Sequence, residues 1–187
     1  MSTLYSVGQM NQLGDALEAA GYTPDDVTKL RSSPSLADIK LVLLGRASVQ
    51  VIEHLIDCDD DPFTPSGFTV ESHQKGGQFV FDPAKVLLHL SKKQQNGGYL
   101  IGNDLRKELR RRPVLNANVL DYLLKNSHLI PEEWKGKYVF FWGTVYRDSH
   151  AGLYVRYLYF HVGRWSWHYR WLGHDWFGSY PAALRAS

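Results

Sequence analysis

The stretch over residues 137–176 constrains the fold more than any other part of the chain. Seventeen of the 25 aromatic residues lie between positions 134 and 180, and all six tryptophans lie between positions 134 and 176. Three runs rich in aromatic and β-branched residues are separated by short turn signals, one of which is Val162-Gly163. Such runs are typical of consecutive antiparallel strands. The stretch therefore predicts a three-stranded antiparallel meander.

The predicted meander has two faces, because successive side chains of a strand point to opposite sides of a sheet. With Val162-Gly163 as the hairpin loop, Phe160 pairs with Trp165 and His161 pairs with Arg164. A three-residue loop with a bulge at Gly163 would change this pairing. One face is predicted to be core that packs on helices. It comprises Trp165, Trp167, Tyr169, Trp171, Tyr154, Leu158, Phe160, Phe140 and Trp142.

The opposite face mixes aromatic and polar side chains. It comprises Arg164, Ser166, His168, Arg170, Tyr157, Tyr159 and Phe141, with Gly143 predicted to lie opposite Tyr157. A base or a sugar can stack on an aromatic ring while guanidinium groups bind a phosphate. We therefore predict that ligand is bound by Tyr157, Tyr159, Arg164, His168 and Arg170. The alternative is a sheet with helices on both faces, in which these aromatic residues are core.

A basic helix is predicted over residues 104–112, capped by Asn103 and ended by Pro113. Leu105 and Leu109 would face inward, and the other faces carry Arg106, Lys107, Arg110, Arg111 and Arg112. Arginines on such a helix can contact phosphates without reading sequence. We predict Arg106 and Arg110 as ligand-binding residues, with a solvated helix face as the alternative. The next helix, capped by Asn116 or Asn118, has little basic character and would make a poor recognition helix.

An acidic loop spans residues 57–62, with the sequence Asp-Cys-Asp-Asp-Asp-Pro. Carboxylates of Asp57, Asp59 and Asp61 could supply oxygen ligands to Mg²⁺ or Ca²⁺. The spacing departs from the calcium-loop pattern, because Pro62 follows soon after and no Glu stands at the required distance. The alternatives are a divalent-metal site and solvated carboxylates in a surface loop. No glycine-rich phosphate loop, Gly-x-Ser-x-Gly motif or zinc-ligand spacing occurs, so no other cofactor is predicted.

The rest of the chain predicts an α+β fold with short N-terminal helices, a mixed middle and the C-terminal meander packed on helices. Three helices are predicted: residues 6–20, a helix that begins at Thr23-Pro24, and one that ends near Gly45. They form a possible helical subdomain over residues 1–47, and an α+β domain follows over 48–187. The middle predicts a strand over 48–57, a hairpin of 68–71 with 78–81, and a helix from Asp82-Pro83 to Asn96-Gly97-Gly98.

Charge is unevenly distributed along the chain, although the net charge is only +2. Residues 1–82 carry 5 basic and 12 acidic side chains, a balance of −7. Residues 83–134 carry 9 and 5, a balance of +4, and residues 135–187 carry 7 and 2, a balance of +5. This asymmetry is typical either of a polyanion-binding half or of two halves that attract each other within the fold.

The sequence predicts a cytoplasmic protein with no membrane partner. No apolar run approaches the ~18 residues needed to span a bilayer, and the N-terminus lacks a basic segment followed by an apolar one. The single cysteine, Cys58, fits a reducing compartment.

Several blocks of the sequence resemble a family of bacterial hypothetical proteins. The blocks are residues 57–63 (DCDDDPF), 75–78 (KGGQ), 114–124 (VLNANVLDYLL), 129–134 (LIPEEW) and 140–148 (FFWGTVYRD). The resemblance covers most of the chain. It implies a bacterial member of that family and carries over no activity and no site residue.

These observations favour a non-catalytic binding module for a polyanion such as nucleic acid or a nucleotide. One alternative is a protein–protein interaction factor without a small ligand, in which the N-terminal helices dock a partner. The other is a divalent-metal-dependent hydrolase that uses Asp57, Asp59 and Asp61. The sequence makes no prediction of oligomeric state.

Overall fold

The computed structural model describes residues 4–49 and 53–186. These residues form both helices and antiparallel sheet, which confirms the predicted α+β class. The chain divides into two compact units, residues 1–51 and 52–187. No helix in the described ranges is long and apolar enough to cross a membrane.

The first unit contains three short helices, α1 (Val7–Ala19), α2 (Pro24–Ser32) and α3 (Leu36–Leu43). Two begin with a capping box: Ser6 pairs with Gln9, and Thr23 pairs with Asp26. In such a box the cap side chain and the third helical residue satisfy each other's free backbone N–H groups. None of the residues in these three helices is buried. Their apolar side chains therefore lack a core within the described part of this unit.

The second unit contains the sheets and three further helices. Its helices are α4 (Lys92–Gln95), α5 (Gly102–Leu109) and α6 (Ala117–Lys125), and short 3₁₀ turns cover Pro83–Lys85, Ser127–Leu129 and Glu132–Trp134. Its strands are β1 (Leu55–Asp57), β2 (Phe68–His73), β3 (Gln78–Val80), β4 (Val86–His89), β5 (Leu100–Ile101), β6 (Val139–Phe140), β7 (Thr144–Asp148), β8 (Leu153–His161), β9 (Arg164–Trp171), β10 (Asp175–Trp176) and β11 (Ala182–Arg185).

The main sheet has the order β2-β7-β8-β6-β11-β4, and β9 pairs with β8. Among the described residues of this sheet, only β6 and β11 pair in parallel. Two small antiparallel pairs, β1 with β3 and β5 with β10, lie apart from it. The long strand β8 is central, because β9 runs along one edge while β7 and β6 share the other.

The β8–β9 hairpin has the predicted register, with Phe160 opposite Trp165 and His161 opposite Arg164. Its loop contains two residues, Val162 and Gly163, with φ of 47° and 75°. Two positive φ values are what a two-residue loop needs to match the twist of the flanking strands. A β-branched residue adopts such a φ rarely, so Val162 is the strained position of this turn.

The first strand of the predicted meander is broken into β6 and β7 by residues 141–143. The Gly143 N–H donates to the Leu115 carbonyl at 2.9 Å, and the Gly143 carbonyl accepts from Gln74 N–H at 2.6 Å. A Cβ at position 143 would lie 2.7 Å from Asn116 Cβ and 2.9 Å from its Cα. Glycine is therefore required here, because the backbone approaches the N-terminus of α6 too closely for any side chain.

This break overturns the predicted facing of the first strand. Phe140, not Gly143, lies opposite Tyr157, and Val139 lies opposite Leu158. The register differs from the prediction by three residues, and an odd shift exchanges the two faces of a strand. Phe140 therefore belongs to the Tyr157 face, while Phe141 packs in the cluster that contains Leu158.

Buried clusters cover the main sheet on both faces. On one face Val119, Leu120 and Leu123 of α6 pack with Val139, Phe141 and Leu158. On the other face Leu105 and Leu109 of α5 pack with Phe140, Trp142, Val155, Leu172 and Trp176, and Tyr157 borders this cluster. Trp171, which the sequence assigned to the core, is 43% exposed. This arrangement is close to the alternative prediction for the meander, in which both faces of the sheet are covered.

Three predictions for the middle of the chain are wrong. β2 pairs with β7 and β3 pairs with β1, so residues 68–81 do not form a hairpin. The segment after Asp82-Pro83 is a 3₁₀ turn and then β4, which pairs with β11. Helix α5 begins at Gly102 without a side-chain cap from Asn103. The strand predicted over 48–57 is observed at Leu55–Asp57, and positions 50–52 lie outside the described residues.

Candidate anion-binding cleft

A cleft of about 560 Å³ lies beside α5. Its volume is in the range of small-molecule sites. The lining residues are Ser72, Gln74, Asn103, Arg106, Lys107, Leu109, Arg110, Val114, Trp142 and Val145. They include three cationic side chains and no carboxylate. We call this the basic cleft.

Helix α5 presents its basic side to the cleft because its apolar side is fixed on the core. Leu105 and Leu109 are almost completely buried. Arg106 and Arg110 are four residues apart, which places them on one side of a helix. The Arg106 Nη2 atom lies 3.4 Å from Ser72 Oγ, which joins α5 to β2.

The arginines of the basic cleft have no acidic partner in the described part of the chain. Lys107 Nζ lies 2.8 Å from a carboxylate oxygen of Asp104. Within residues 4–49 and 53–186, neither Arg106 nor Arg110 forms an ion pair. Their guanidinium groups are therefore available to an anionic ligand, and guanidinium binds carboxylate or phosphate oxygens in pairs.

Trp142 is the aromatic residue among those that line the basic cleft. It is 5% exposed, and its ring lies 4.7 Å from that of Trp176. Its indole N–H is buried and has no hydrogen-bond partner in the described structure. A buried donor without an acceptor costs about 1–3 kcal/mol.

Tyr157 and Tyr159, which the sequence predicts as ligand-binding residues, line another cavity, of about 350 Å³. It is lined by Gly136, Lys137, Tyr138, Tyr157, Tyr159, Phe160 and His161, and we call it the tyrosine groove. Burial, followed by the neighbouring phenols of Tyr159 and Tyr138, raises the pKa of Tyr157. The phenol therefore remains neutral and able to donate a hydrogen bond at physiological pH.

The other predicted residues of this face differ in their freedom to bind. Arg164 and His168 are exposed, and the His168 ring lies 6.1 Å from that of Tyr157 at an interplanar angle of 29°. Arg170 is held in the fold: its Nη2 donates to the Asp175 carbonyl at 2.8 Å, and it lies 4.7 Å over the Tyr180 ring. The structure thus brings Arg106 and Arg110 to the basic cleft and Tyr157 and Tyr159 to the tyrosine groove.

The carboxylates of the acidic loop are not arranged as a metal site in the described part of the chain. In the described ranges no group of three or more His, Cys, Asp or Glu side chains is placed to hold a metal ion. Asp57 Oδ1 accepts from the Asp59 N–H and Asp59 Oδ1 from the Gly77 N–H, each at 2.8 Å. Asn118 donates to the carbonyl groups of Asp57 and Asp60. Asp57 and Asp59, predicted with Asp61 as metal ligands, therefore shape the loop.

A network around His73 connects the acidic loop with the N-terminus of α6. The His73 Nε2–H donates to the Cys58 carbonyl at 3.0 Å, and Nδ1 lies 2.8 Å from Thr144 Oγ1. Thr144 Oγ1 accepts from the Ala117 N–H, so its hydroxyl hydrogen is free for His73. The Asn116 side chain donates to the Cys58 carbonyl at 2.8 Å. Both ring nitrogens of His73 therefore have hydrogen-bond partners within the fold.

Arg156 is a buried charged residue that the sequence pattern did not single out. It is 1% exposed, and its two terminal nitrogens donate to the Asp121 carboxylate at 2.7 and 3.0 Å. The guanidinium also lies 4.1 Å over the Trp167 ring and 5.0 Å over the Phe63 ring. The alternation of side chains along β8 could have revealed its burial, because Arg156 and Leu158 lie on the same face of that strand.

Comparisons with family models, curated proteins and solved structures found no match to this chain. The chemistry of the basic cleft and of the tyrosine groove is therefore inferred from their own residues. The first offers neutral donors and two arginines that form no ion pair among the described residues, and the second offers aromatic ring faces beside a lysine and a histidine.

Proposed function

We propose that the unit over residues 52–187 is a non-catalytic module that binds a polyanion such as nucleic acid or a nucleotide. The observation that carries this proposal is the basic cleft: among the residues that the structure describes, Arg106 and Arg110 have no acidic partner and no carboxylate lines the cavity. A cleft that concentrates one sign of charge attracts ligands of the opposite sign.

The chemistry of the lining favours phosphate over a simple anion. Arg106 and Arg110 can each donate two hydrogen bonds to one phosphate group. Ser72, Gln74 and Asn103 add neutral side chains that hydrogen-bond phosphate oxygens in nucleic-acid complexes. The charge of the surrounding sequence also favours an anionic ligand. Residues 83–134 carry a charge balance of +4, and residues 135–187 carry a balance of +5.

The experiment is a comparison of two double variants that remove the same charge. A fluorescent single strand of about 12 nucleotides is titrated with wild type, Arg106→Ala/Arg110→Ala and Arg111→Ala/Arg112→Ala at low salt. Arg111 and Arg112 are exposed, belong to the same segment and do not line the cleft. We expect the first variant to bind at least about 10-fold more weakly and the second to bind nearly as wild type. Equal loss in both variants, or no binding by wild type, would contradict the proposal.

Docking of a partner protein by the N-terminal helices is the second candidate function. The observation in its favour is that Val7, Met10 and Leu13 of α1 are exposed and that none of α1 to α3 contains a buried residue. Affinity capture with the whole chain and with a chain lacking residues 1–47 tests this role. A partner lost on deletion supports it, and a partner retained contradicts it.

The hydrolase alternative has no support from the geometry of Asp57, Asp59 and Asp61. We also propose that the chain belongs to the bacterial family that it resembles and that it is cytoplasmic. These proposals rest on the sequence blocks and on the single cysteine, Cys58.

A further inference from the structure

A smaller cavity, of about 120 Å³, adjoins the basic cleft. Gln74 and Val114 line both cavities, and Gln74 is exposed, so solvent reaches the wall that the two share. The smaller cavity is lined by Cys58, Gln74, Gly76, Phe79, Pro113, Val114, Leu115, Asn116 and Arg185, and we call it the Arg185 cavity. Its volume is below the range of about 300–1,000 Å³ that accommodates a whole small ligand. It is therefore better suited to extend the basic cleft than to bind a ligand by itself.

The backbone places the Arg185 cavity beside the basic cleft. After α5 the chain runs antiparallel to β11: Val114 forms a bridge with that strand, and the Arg185 N–H donates to the Pro113 carbonyl at 2.8 Å. The Gln74 carbonyl accepts a hydrogen bond from the Asn116 side chain at 3.1 Å. The residues that both cavities share, and the backbone of Arg185, are thus fixed by hydrogen bonds or strand pairing.

The guanidinium group of Arg185 is positioned by a ring. It lies 5.3 Å over the ring of Phe79, which is 2% exposed. Such a contact attracts the cation to the ring face without an acidic partner. Among the described residues Arg185 forms no ion pair, and no Asp or Glu lines its cavity. Its charge is therefore available to an anionic group, and a guanidinium can donate two parallel hydrogen bonds to a phosphate.

We propose that Arg185 binds a further phosphate of a strand that the basic cleft already holds. This inference rests on the proposed function and specifies its ligand as a nucleic-acid strand and not a mononucleotide. A strand repeats its phosphate at every nucleotide, so a strand bound by Arg106 and Arg110 presents another phosphate to the adjoining cavity. A nucleoside monophosphate has a single phosphate, and with that group in the cleft it leaves Arg185 unoccupied.

The experiment compares a strand with a mononucleotide. The full chain is titrated at low salt with a labelled oligothymidine of about 12 nucleotides, and thymidine monophosphate is measured as a competitor. Arg185→Gln keeps a polar side chain and removes the charge. We expect this variant to bind the strand about 10-fold more weakly, because a charge-assisted hydrogen bond is lost. Competition by the mononucleotide should remain nearly as in wild type, which also shows that the basic cleft is intact.

Three other variants control for charge and for position. Arg112→Gln is the matched control, since Arg112 is exposed and lines neither cavity, and it should bind the strand nearly as wild type. Arg185→Lys keeps the charge and should recover most of the affinity for the strand. Arg106→Ala/Arg110→Ala should weaken the strand and the mononucleotide together, because both ligands place a phosphate in the cleft.

The outcomes distinguish the role of Arg185 from the proposed function. Strand binding by Arg185→Gln that equals wild type, or that is weakened only as much as in Arg112→Gln, overturns the inference and leaves polyanion binding intact. Equal weakening of strand and mononucleotide by Arg185→Gln overturns it as well, since Arg185 would then act on the cleft itself. Failure of the strand to bind wild type overturns both.

Discussion

At the scale of single residues, Arg156 shows how the fold accommodates charge inside the sheet. Its guanidinium is buried, paired with Asp121 at two oxygen atoms and stacked on Trp167. A buried ion pair adds little net stability, but removal of one member leaves the other uncompensated. The pair also joins α6, which carries Asp121, to the central strand β8.

Replacement of Asp121 by alanine should therefore strongly destabilise the second unit. We expect the free energy of unfolding to fall by about 3 kcal/mol, because Arg156 would remain buried without its carboxylate. Lys125→Ala, an exposed change on the same helix, should alter stability by less than about 0.5 kcal/mol. Chemical denaturation followed by tryptophan fluorescence measures both. A loss below about 1 kcal/mol for Asp121→Ala would show that the aromatic contacts alone stabilise Arg156.

Cys58 should be unreactive in the folded chain. Burial, followed by the neighbouring carboxylates of Asp57 and Asp59, raises the pKa of the Cys58 thiol from 9.0 to about 11. Near pH 8 the thiolate fraction is then about 100-fold lower than in the unfolded chain. Labelling with a thiol-specific reagent in native buffer and in denaturant tests this.

The raised pKa of Cys58 also determines the direction in which the stability of the fold changes with pH. A folded pKa above the unfolded value contributes stability that is complete below about pH 9 and is lost as the pH rises through about 11. Equal labelling rates in the native and denatured chains would contradict the burial of Cys58.

At the scale of elements, the sequence predicted those parts of the fold that local chemistry determines. Helix caps at Ser6, Thr23 and Asn116 and the Val162-Gly163 loop depend on neighbouring residues, and all are observed. β4 was predicted as a helix, because Val86, Leu87 and Leu90 fit helical spacing. Its pairing with β11, almost a hundred positions later, decides its structure.

The candidate site was predictable in part, for the same reason. The basic side of α5 follows from helical periodicity, so Arg106 and Arg110 could be assigned to one side of a helix from the sequence. Ser72 and Trp142 come from distant parts of the chain and join the basic cleft only through β2 and the break after β6. The facing of the first strand was wrong because local pattern does not show a break that depends on the approach of Asn116 to Gly143.

Gly143→Ala tests the contact that causes this break. The new Cβ would lie within 2.9 Å of Asn116 backbone atoms, so β7 or the start of α6 must move. We expect a loss of about 1–3 kcal/mol in the free energy of unfolding. Gly76→Ala is the matched control, since its Cβ would meet Cys58 Cβ at 3.4 Å, an ordinary contact. Thermal melts of the two variants that shift equally would argue against the close approach.

At the scale of the whole second unit, two cavities of different chemistry accompany a sheet that is covered on both faces. The basic cleft supplies charge without a carboxylate, and the tyrosine groove supplies ring faces. A ligand with regularly repeated phosphates and flat rings combines both requirements. That combination favours single-stranded nucleic acid over a protein ligand for this unit.

The central claim is that the cations of the basic cleft contact phosphates, and the salt dependence of binding measures it directly. If Arg106, Lys107 and Arg110 each neutralise one phosphate, these three residues should contribute about −2 to the slope of the logarithm of the single-strand association constant against the logarithm of salt concentration. Arg106→Ala/Arg110→Ala should make the slope shallower by about 1.4, and Arg111→Ala/Arg112→Ala should leave it nearly unchanged. A flat dependence for wild type, or the same reduction in both double variants, would contradict the claim.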